Sequence, residues 1–228
     1  MIEHSSDGRT GGRRMSIDSP STRTSFQMKL YYSPGACSLS PHITLHESGL
    51  PFEPVLASTK THKLQDGTDY YTINPLGYVP LLELDDGQRL REGPAIVQYI
   101  ADQVPAKGLA PANGSFERYR LQEWLTFIGT ELHKGHSPLF APSTPDAYKD
   151  IARQQLMKRL GWVDEQLADR DYLLGGFSVA DPYLYTVARW GQYVGVDHSG
   201  LANLAAYCAR MEARPAVQAA LRAEGLLK

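Results

Sequence analysis

The chain has 228 residues, of which 42% are hydrophobic and 21% are charged, and this composition excludes a wholly disordered or fibrous protein. The 23 basic residues nearly balance the 25 acidic ones, for a net charge of −2, so neither nucleic acid nor an anionic membrane is an expected partner. No apolar run approaches the roughly 20 residues of a membrane span. Only two cysteines occur, Cys37 and Cys208, which excludes a disulfide framework and predicts a cytoplasmic protein.

Residues 1–27 differ in composition from everything that follows. Ser, Thr, Gly, Arg and Asp dominate them, and their few apolar residues follow no period. Their arginines are not followed by a continuous apolar stretch, which argues against a secretory signal. This pattern predicts a disordered or cloning-derived extension, with Met28 as the natural start of the chain.

Residues 28–105 are predicted to form a first domain in which strands and helices alternate. The hairpin turn Asp85-Asp86-Gly87 separates two short strands, and Pro41 and Pro94 fall in the first turns of two helices, where a missing N–H costs nothing. The expected fold is a small α/β layer with helices covering a mixed four-stranded sheet. The predicted strands are Lys29–Tyr32, Phe52–Leu56, Val79–Leu84 and Gln88–Arg91, and the predicted helices are Ser38–Glu47 and Glu92–Gln103.

Residues 106–114 are rich in Pro, Gly and Ala and are predicted to be a linker to an all-helical domain over residues 115–228. Helical periodicity runs over residues 116–136, 148–168, 178–193, 201–213 and 215–223. Ser178 and Asp181 form a capping-box pattern, in which the serine hydroxyl accepts from the N–H three residues on and the carboxylate reaches back. Phe177 stands where a hydrophobic staple belongs, so this motif is assigned to folding.

Cys37 is the first candidate for chemistry. It follows a Pro-Gly turn and stands where the first helix begins. A helix N-terminus favours the thiolate, because its free N–H groups and dipole stabilise negative charge. The alternative is a small packing residue, and its position alone does not decide between the two.

Two further candidate binding sites each follow a turn and stand at the start of a strand or a helix. A cis bond between Val79 and Pro80 would present the backbone of Val79 to an extended peptide, whereas a trans proline at an edge strand is statistically commoner. Glu92 and Gly93 open the second helix, where the N–H of Gly93 suits a carboxylate and Glu92 suits an ammonium. The alternative is that Glu92 only complements the helix dipole.

The histidines of the chain are considered both as catalytic groups and as metal ligands. His133 lies in the long helix that begins the second domain, from which it can reach a thiolate across the cleft between domains. His133 with His136, and His42 with His46, have spacings typical of metal ligands on a helix. No carboxylate or thiol completes either pair, so no metal site is expected.

Several segments together resemble the bacterial beta-class glutathione transferases, from Met28 to Lys228. The resemblance implies a thioredoxin-like N-terminal domain, an all-helical C-terminal domain, and a bacterial cytoplasmic homodimer that uses glutathione as co-substrate in detoxification. The segments that carry it are KLYYSPGACSLSPHITLHESG, NPLGYVPLLELDDG, EGPAIVQYIAD, EWLTFIGTELHKG and FSVADPYL.

By this resemblance, the first domain holds most of the glutathione. Cys37 matches the cysteine whose side chain lies beside the glutathione sulfur. Val79 matches the residue whose backbone pairs with the cysteinyl part, and Pro80 matches the family's cis-proline. Glu92 and Gly93 match the pair that binds the γ-glutamyl end.

The second domain contributes further groups by the same resemblance. His133 matches the histidine that approaches the cysteine thiol, and Lys134 lies beside it. Thr130 and Glu131 match positions that reach toward the glutathione of the partner subunit.

The chain departs from the family at two positions. The second residue of the γ-glutamyl pair is commonly serine, so Gly93 loses a hydroxyl donor and keeps only its N–H. The lysine that meets the glycine carboxylate corresponds to His62, with Lys60 and Lys63 on either side. Both changes are expected to weaken glutathione binding without altering the mechanism.

Three functions are compatible with these residues. The main hypothesis is conjugation of glutathione to a small hydrophobic electrophile, held near Gly35 and residues 136–140 and 190–193. The alternative is thiol–disulfide exchange or peroxidase chemistry through a mixed disulfide at Cys37, by a monothiol route because no C-x-x-C pair exists. A non-catalytic binding protein is disfavoured, because Cys37 and Glu92 are both present. The sequence does not identify the electrophile.

Overall fold

The computed structural model describes residues 28–227, so the predicted extension 1–27 lies outside the described residues. The strands of the first domain form one sheet in the order β2-β1-β3-β4. β2 is parallel to β1, and β3 and β4 are antiparallel to their neighbours. The predicted mixed sheet is therefore confirmed. The elements are β1 Met28–Tyr32, α1 Leu39–Ser48, β2 Phe52–Leu56, β3 Leu81–Glu83, β4 Arg89–Arg91 and α2 Gly93–Gln103.

β3 begins at Leu81, two residues later than predicted. Pro80 has no N–H to donate to a ladder, so pairing starts after it. The register places Leu82 opposite both Leu30 and Leu90. Leu30 and Leu82 are buried with Ile100 of α2, which shows that one face of the sheet packs on the helices.

The second domain is all-helical, as predicted, but two of its helices differ from the periodicity. The predicted helix 116–136 extends to Phe140 and contains a π-helical segment, Ile128–His133. The predicted helix 178–193 is two helices, separated at Arg189 and Trp190. The remaining bounds are α3 Phe116–Phe127, α4 Lys134–Phe140, α5 Asp146–Gln166, α6 Ala180–Ala188, α7 Gly191–Val194, α8 Ala202–Glu212 and α9 Pro215–Ala223.

Helix α1 lies between the two domains and is buried on nearly every side. Leu39 and Ile43 belong to the apolar core of the helical domain. Leu45 packs with Met28 and Leu30 of the sheet. One helix thus joins both cores, and its N-terminus, which carries Cys37, is held at the junction.

Ion pairs between the domains fix their orientation. Arg118 of α3 donates two hydrogen bonds of 2.8 Å to the carboxylate of Asp102. Arg214 binds both carboxylate oxygens of Glu47 at 2.7 and 3.0 Å. Such bidentate, charge-assisted pairs add geometric specificity. Among residues 28–227, no helix is long and apolar enough to cross a membrane.

The capping-box prediction at Ser178 was half correct. The Asp181 carboxylate accepts from the Ser178 N–H at 2.8 Å, as predicted. The Ser178 hydroxyl accepts from the N–H of Ala180, two residues on, at 3.4 Å, and not from the third. The difference arises because the hydroxyl also donates to Asp181 at 3.1 Å, so the serine and the carboxylate face each other.

Candidate active site

The turn before Cys37 is held by both domains. Gly35 has φ +71°, a conformation that favours glycine. Its N–H donates to the buried carboxylate of Glu224 at 2.8 Å, and its carbonyl accepts from Trp190 Nε1 at 2.9 Å. His42 Nδ1 contacts the other oxygen of Glu224 at 2.8 Å. Sequence reasoning missed Glu224, because it stands at the far end of the chain without a local motif.

The surroundings of Cys37 disfavour a thiolate, which was one of the two alternatives for this residue. Burial raises the pKa of the Cys37 thiol to about 12, and the N–H groups of Cys37 and Ser38 at the helix start lower it by less. Ser38 does not cap the helix, because its hydroxyl donates to the Ser33 carbonyl at 3.2 Å. Desolvation therefore outweighs the helix N-terminus here, and the group is a thiol.

The backbone around Val79 has an unpaired donor. The peptide between Val79 and Pro80 is cis, which confirms that prediction. The Val79 carbonyl was expected to be free, but it accepts from the Cys37 thiol at 3.2 Å. Within the described chain, the Val79 N–H has no hydrogen-bond partner although Val79 is buried. A buried N–H of this kind requires a partner, and an extended ligand can supply one.

Helix α2 opens at a strained residue. Glu92 has φ +68° without being glycine, and such backbone strain is typical of functional sites. Its exposed carboxylate accepts from the Tyr78 hydroxyl at 2.9 Å. A Cβ added to Gly93 would have only Pro80 Cγ nearby, at 4.0 Å, so the position has room for a side chain.

His133 faces the junction from the helical side, but its hydrogen bond goes to Tyr183 and not to Cys37. Nδ1 lies 2.7 Å from the Tyr183 hydroxyl oxygen. Burial lowers the pKa of His133 to about 4, and the nearby charge of Lys134 contributes. The ring is therefore neutral. His133 and Cys37 line the same cavity, but the Cys37 thiol donates to the Val79 carbonyl and not to His133.

A cavity of about 920 Å³ opens between the two domains beside Cys37. The turn at Gly35 forms one wall, and the helical domain forms the other. The predicted regions near 136–140 and 190–193 do contribute to it. Its lining includes Pro34, Cys37, Lys60, His133, Ser137, Phe140, Trp190, Tyr193 and Leu226.

Thr130, Glu131 and Lys134 line a different cavity, of about 290 Å³. Glu131 accepts a hydrogen bond from Arg159 at 2.7 Å, and Thr130 donates to the Thr126 carbonyl at 3.0 Å. The structure therefore does not bring Thr130 and Glu131 to the Cys37 cavity of their own chain.

His62 is held by its own loop. Its Nδ1 contacts the Gly77 carbonyl at 2.9 Å, and its ring lies 4.7 Å from that of Tyr71. A carbonyl can only accept, so Nδ1 carries a proton. Lys60 and Lys63 are both exposed, and Lys60 lines the Cys37 cavity while Lys63 does not.

Neither histidine pair belongs to a metal cluster. Among the described residues, no group of three or more metal-ligating side chains comes together. His42 and His46 stack with ring centres 5.2 Å apart. His136 Nδ1 contacts the Leu132 carbonyl at 2.8 Å. Cys208 is half-buried in α8, and burial raises the pKa of its thiol to about 12, which suits a packing residue.

Comparison with protein families gives matches in both domains. The family model of the glutathione S-transferase N-terminal domain matches residues 35–103, and that of the C-terminal domain matches residues 127–215. Glutathione S-transferase GstA of Escherichia coli O157:H7 is 51% identical over 200 residues, which cover 87% of this chain and 100% of the relative.

Solved structures give the same result. The bacterial beta-class glutathione S-transferase of Sphingomonas chungbukensis is 48% identical, with a TM-score of 0.85, and the match covers 87% of this chain and 100% of that one. A sphingomonad glutathione S-transferase in complex with glutathione is 52% identical, with a TM-score of 0.84, and covers 87% of this chain and 99% of its own.

Proposed function

Because the chain belongs to the glutathione S-transferase family, with a bacterial beta-class enzyme among its relatives, we propose that it conjugates the glutathione thiolate to small electrophiles. The observation that supports this proposal most directly is the hydrogen bond from the Cys37 thiol to the Val79 carbonyl. It places a thiol beside the backbone edge at which the cysteinyl residue of glutathione would pair. Glutathione is the co-substrate, as in the sphingomonad complex.

Glutathione binds mainly to the first domain. Its cysteinyl carbonyl accepts from the free N–H of Val79, as an added strand would. Its γ-glutamyl ammonium meets the exposed carboxylate of Glu92, and the neighbouring carboxylate meets the start of α2 at Gly93. Its glycine carboxylate lies toward the loop that carries Lys60 and His62. His62 already donates its Nδ1 proton to the Gly77 carbonyl, which predicts a weaker contact at this end than a lysine would make.

The reaction needs an anionic glutathione sulfur at a site that disfavours charge. The N–H groups of Cys37 and Ser38 and the ring of His133 stabilise that anion. The proton of the glutathione thiol passes to solvent. The sulfur then forms a bond to the electrophilic carbon, and the leaving group departs with its electron pair.

The second substrate binds in the same cavity beyond Cys37. Phe140, Trp190 and Tyr193 give this part of the lining an aromatic character. Aromatic and apolar walls favour small hydrophobic electrophiles. Detoxification is the role this binding would serve.

The redox alternative places the nucleophile on Cys37 itself. A thiol with its pKa raised to about 12 is almost wholly protonated near pH 7, which slows attack on a disulfide. This observation favours conjugation over exchange.

Cys37→Ala separates the two functions. Conjugation with an activated aryl halide is expected to remain within about fivefold, because one neutral hydrogen bond is worth about 1 kcal/mol and 1.4 kcal/mol is a factor of ten. Glutathione-dependent reduction of a mixed disulfide is expected to disappear. The matched control is Cys208→Ala, which removes the other thiol away from the cavity. Loss of conjugation in Cys37→Ala alone would contradict the proposal and favour covalent chemistry at Cys37.

We also propose a cytoplasmic homodimer. Both cysteines are free, which suits a reducing compartment. Thr130 and Glu131 line a cavity other than that of Cys37, which suits a role toward the glutathione of a partner subunit. Light scattering of the purified protein checks the dimer, and a mass of one chain would contradict it.

A further inference from the structure

His133 is oriented by two aromatic side chains from α6 and the turn after it. The Tyr183 hydroxyl lies 2.7 Å from Nδ1, and the two rings are nearly perpendicular, at 82°. Trp190 packs against another side of the imidazole, with ring centres 4.8 Å apart. These contacts leave Nε2 as the ring nitrogen available to the cavity.

The proton in the bond between Tyr183 and His133 can be assigned by elimination. Tyr183 is 4% exposed, and within residues 28–227 its hydroxyl has no hydrogen-bond partner besides His133. Burial raises the pKa of Tyr183, and the nearby Cys37 and Glu92 raise it further, so the group is a phenol. A proton on Nδ1 would leave the phenolic hydrogen buried without an acceptor, which is costly. The phenol therefore donates to Nδ1.

We propose that Tyr183 is a positioning residue that fixes the tautomer of His133, so that Nε2–H points into the cavity as a hydrogen-bond donor to the glutathione sulfur. This inference rests on the proposed function. A neutral imidazole carries one proton, and with Nδ1 accepting from the phenol that proton is on Nε2. His133 thus stabilises the thiolate and does not remove the thiol proton, which goes to solvent.

The pairing depends on the π-helical segment. His133 is its last residue, and the extra residue in a π turn rotates the side chains that follow relative to a continuous α-helix. Tyr183 approaches the same segment closely enough that a Cβ on Gly129 would lie 3.5 Å from its hydroxyl. The local distortion and the packing of α6 together aim Nδ1 at the phenol.

The tautomer can be measured directly in the protein without glutathione. Nitrogen NMR of the full chain labelled with ¹⁵N-histidine distinguishes protonated from unprotonated ring nitrogens, and His133→Gln identifies the resonances of His133. The wild type is expected to have the proton on Nε2. Tyr183→Phe is expected to give a mixture of both tautomers. A proton on Nδ1 in the wild type overturns the proposal, even if the variant does not fold.

The matched control is Tyr185→Phe. Tyr185 is buried on the same helix, and its hydroxyl contacts Glu212 and Arg189 at 3.2 and 2.9 Å. Its loss removes comparable hydrogen bonds without touching His133. His133 is expected to keep its Nε2–H tautomer in Tyr185→Phe. If Tyr185→Phe shifts the tautomer of His133 as much as Tyr183→Phe does, the proposal is overturned.

Kinetics with glutathione and an activated aryl halide complete the test. Tyr183→Phe is expected to lower kcat about fivefold, with the KM for glutathione nearly unchanged, because the lost interaction acts on the anionic sulfur. Tyr185→Phe is expected to leave kcat and the KM for glutathione unchanged. An altered tautomer with unchanged kcat overturns the role in catalysis. Absence of conjugation in every protein, with the predicted tautomers, contradicts the proposed function alone.

Discussion

The two domains form the two sides of the site by different means. The first domain provides what we call the first wall, which presents backbone groups and one carboxylate next to turns, at Cys37, Val79 and Glu92; of these three residues, Cys37 lines the cavity. The helical domain presents side chains from separate elements, such as His133 and Trp190. A backbone group at a turn is placed by its local sequence, whereas a helical side chain is placed by the packing of its helix. The first wall is therefore suited to hold a constant ligand, and the second to vary with the electrophile.

The largest expected effect tests the first wall. Glu92→Gln keeps the shape but removes the charge that meets the γ-glutamyl ammonium. The kcat/KM for glutathione is expected to fall about thirtyfold, since charge-assisted hydrogen bonds are the strong ones and 1.4 kcal/mol is a factor of ten. Steady-state kinetics with varied glutathione measure this.

The control for Glu92 is Glu83→Gln. Glu83 is a carboxylate of the same domain that pairs with Arg89 at 2.7 Å and does not line the cavity. Glu83→Gln is expected to change the kcat/KM for glutathione less than twofold. Equal losses in both variants would show that the effect comes from the stability of the domain and not from recognition.

An intermediate effect tests the second wall. The amide of glutamine in His133→Gln reaches the position of Nε2 and can still donate, whereas the shorter asparagine reaches only the position of Nδ1. His133→Asn is expected to lower kcat about tenfold and His133→Gln distinctly less. Single-turnover kinetics at saturating glutathione measure this. Higher activity in the asparagine variant would mean that Nδ1, not Nε2, serves the sulfur.

The smallest expected effect is a gain. Gly93→Ser restores a hydroxyl at the start of α2, where the nearest atom to an added Cβ is 4.0 Å away. The KM for glutathione is expected to fall about fivefold, as one added neutral hydrogen bond of about 1 kcal/mol predicts. Gly93→Ala is the control, because it adds the Cβ without the hydroxyl. If both variants gain equally, the improvement comes from helix stability and not from binding.

Local sequence signals predicted much of the first wall. The turn before Cys37 and the opening of α2 at Glu92 follow from Pro, Gly and the change of hydrophobic period over a few residues, whereas the cis bond at Pro80 was predicted only from the family resemblance. The state of the Cys37 thiol was left open, because a helix N-terminus is visible in the sequence while the burial that outweighs it is not. His62 was matched to the family's lysine by its position in the chain, and its hydrogen bond to the Gly77 carbonyl was not predicted.

The second wall was harder to predict from local sequence signals. His133 was found by resemblance, but its partner Tyr183 stands 50 residues away, and nothing in the local pattern connects them. Periodicity also missed the π segment, since one extra residue in a turn barely alters the spacing of apolar positions.

The sequence by itself determined the two domains, the order of strands and helices and the family, because periodicity, turn residues and ordered motifs are local properties of the chain. Only the tertiary structure decided which groups are protonated and which side chains meet. Those outcomes depend on burial and on contacts between distant segments, as where Glu224 holds the Gly35 turn and Tyr183 holds His133.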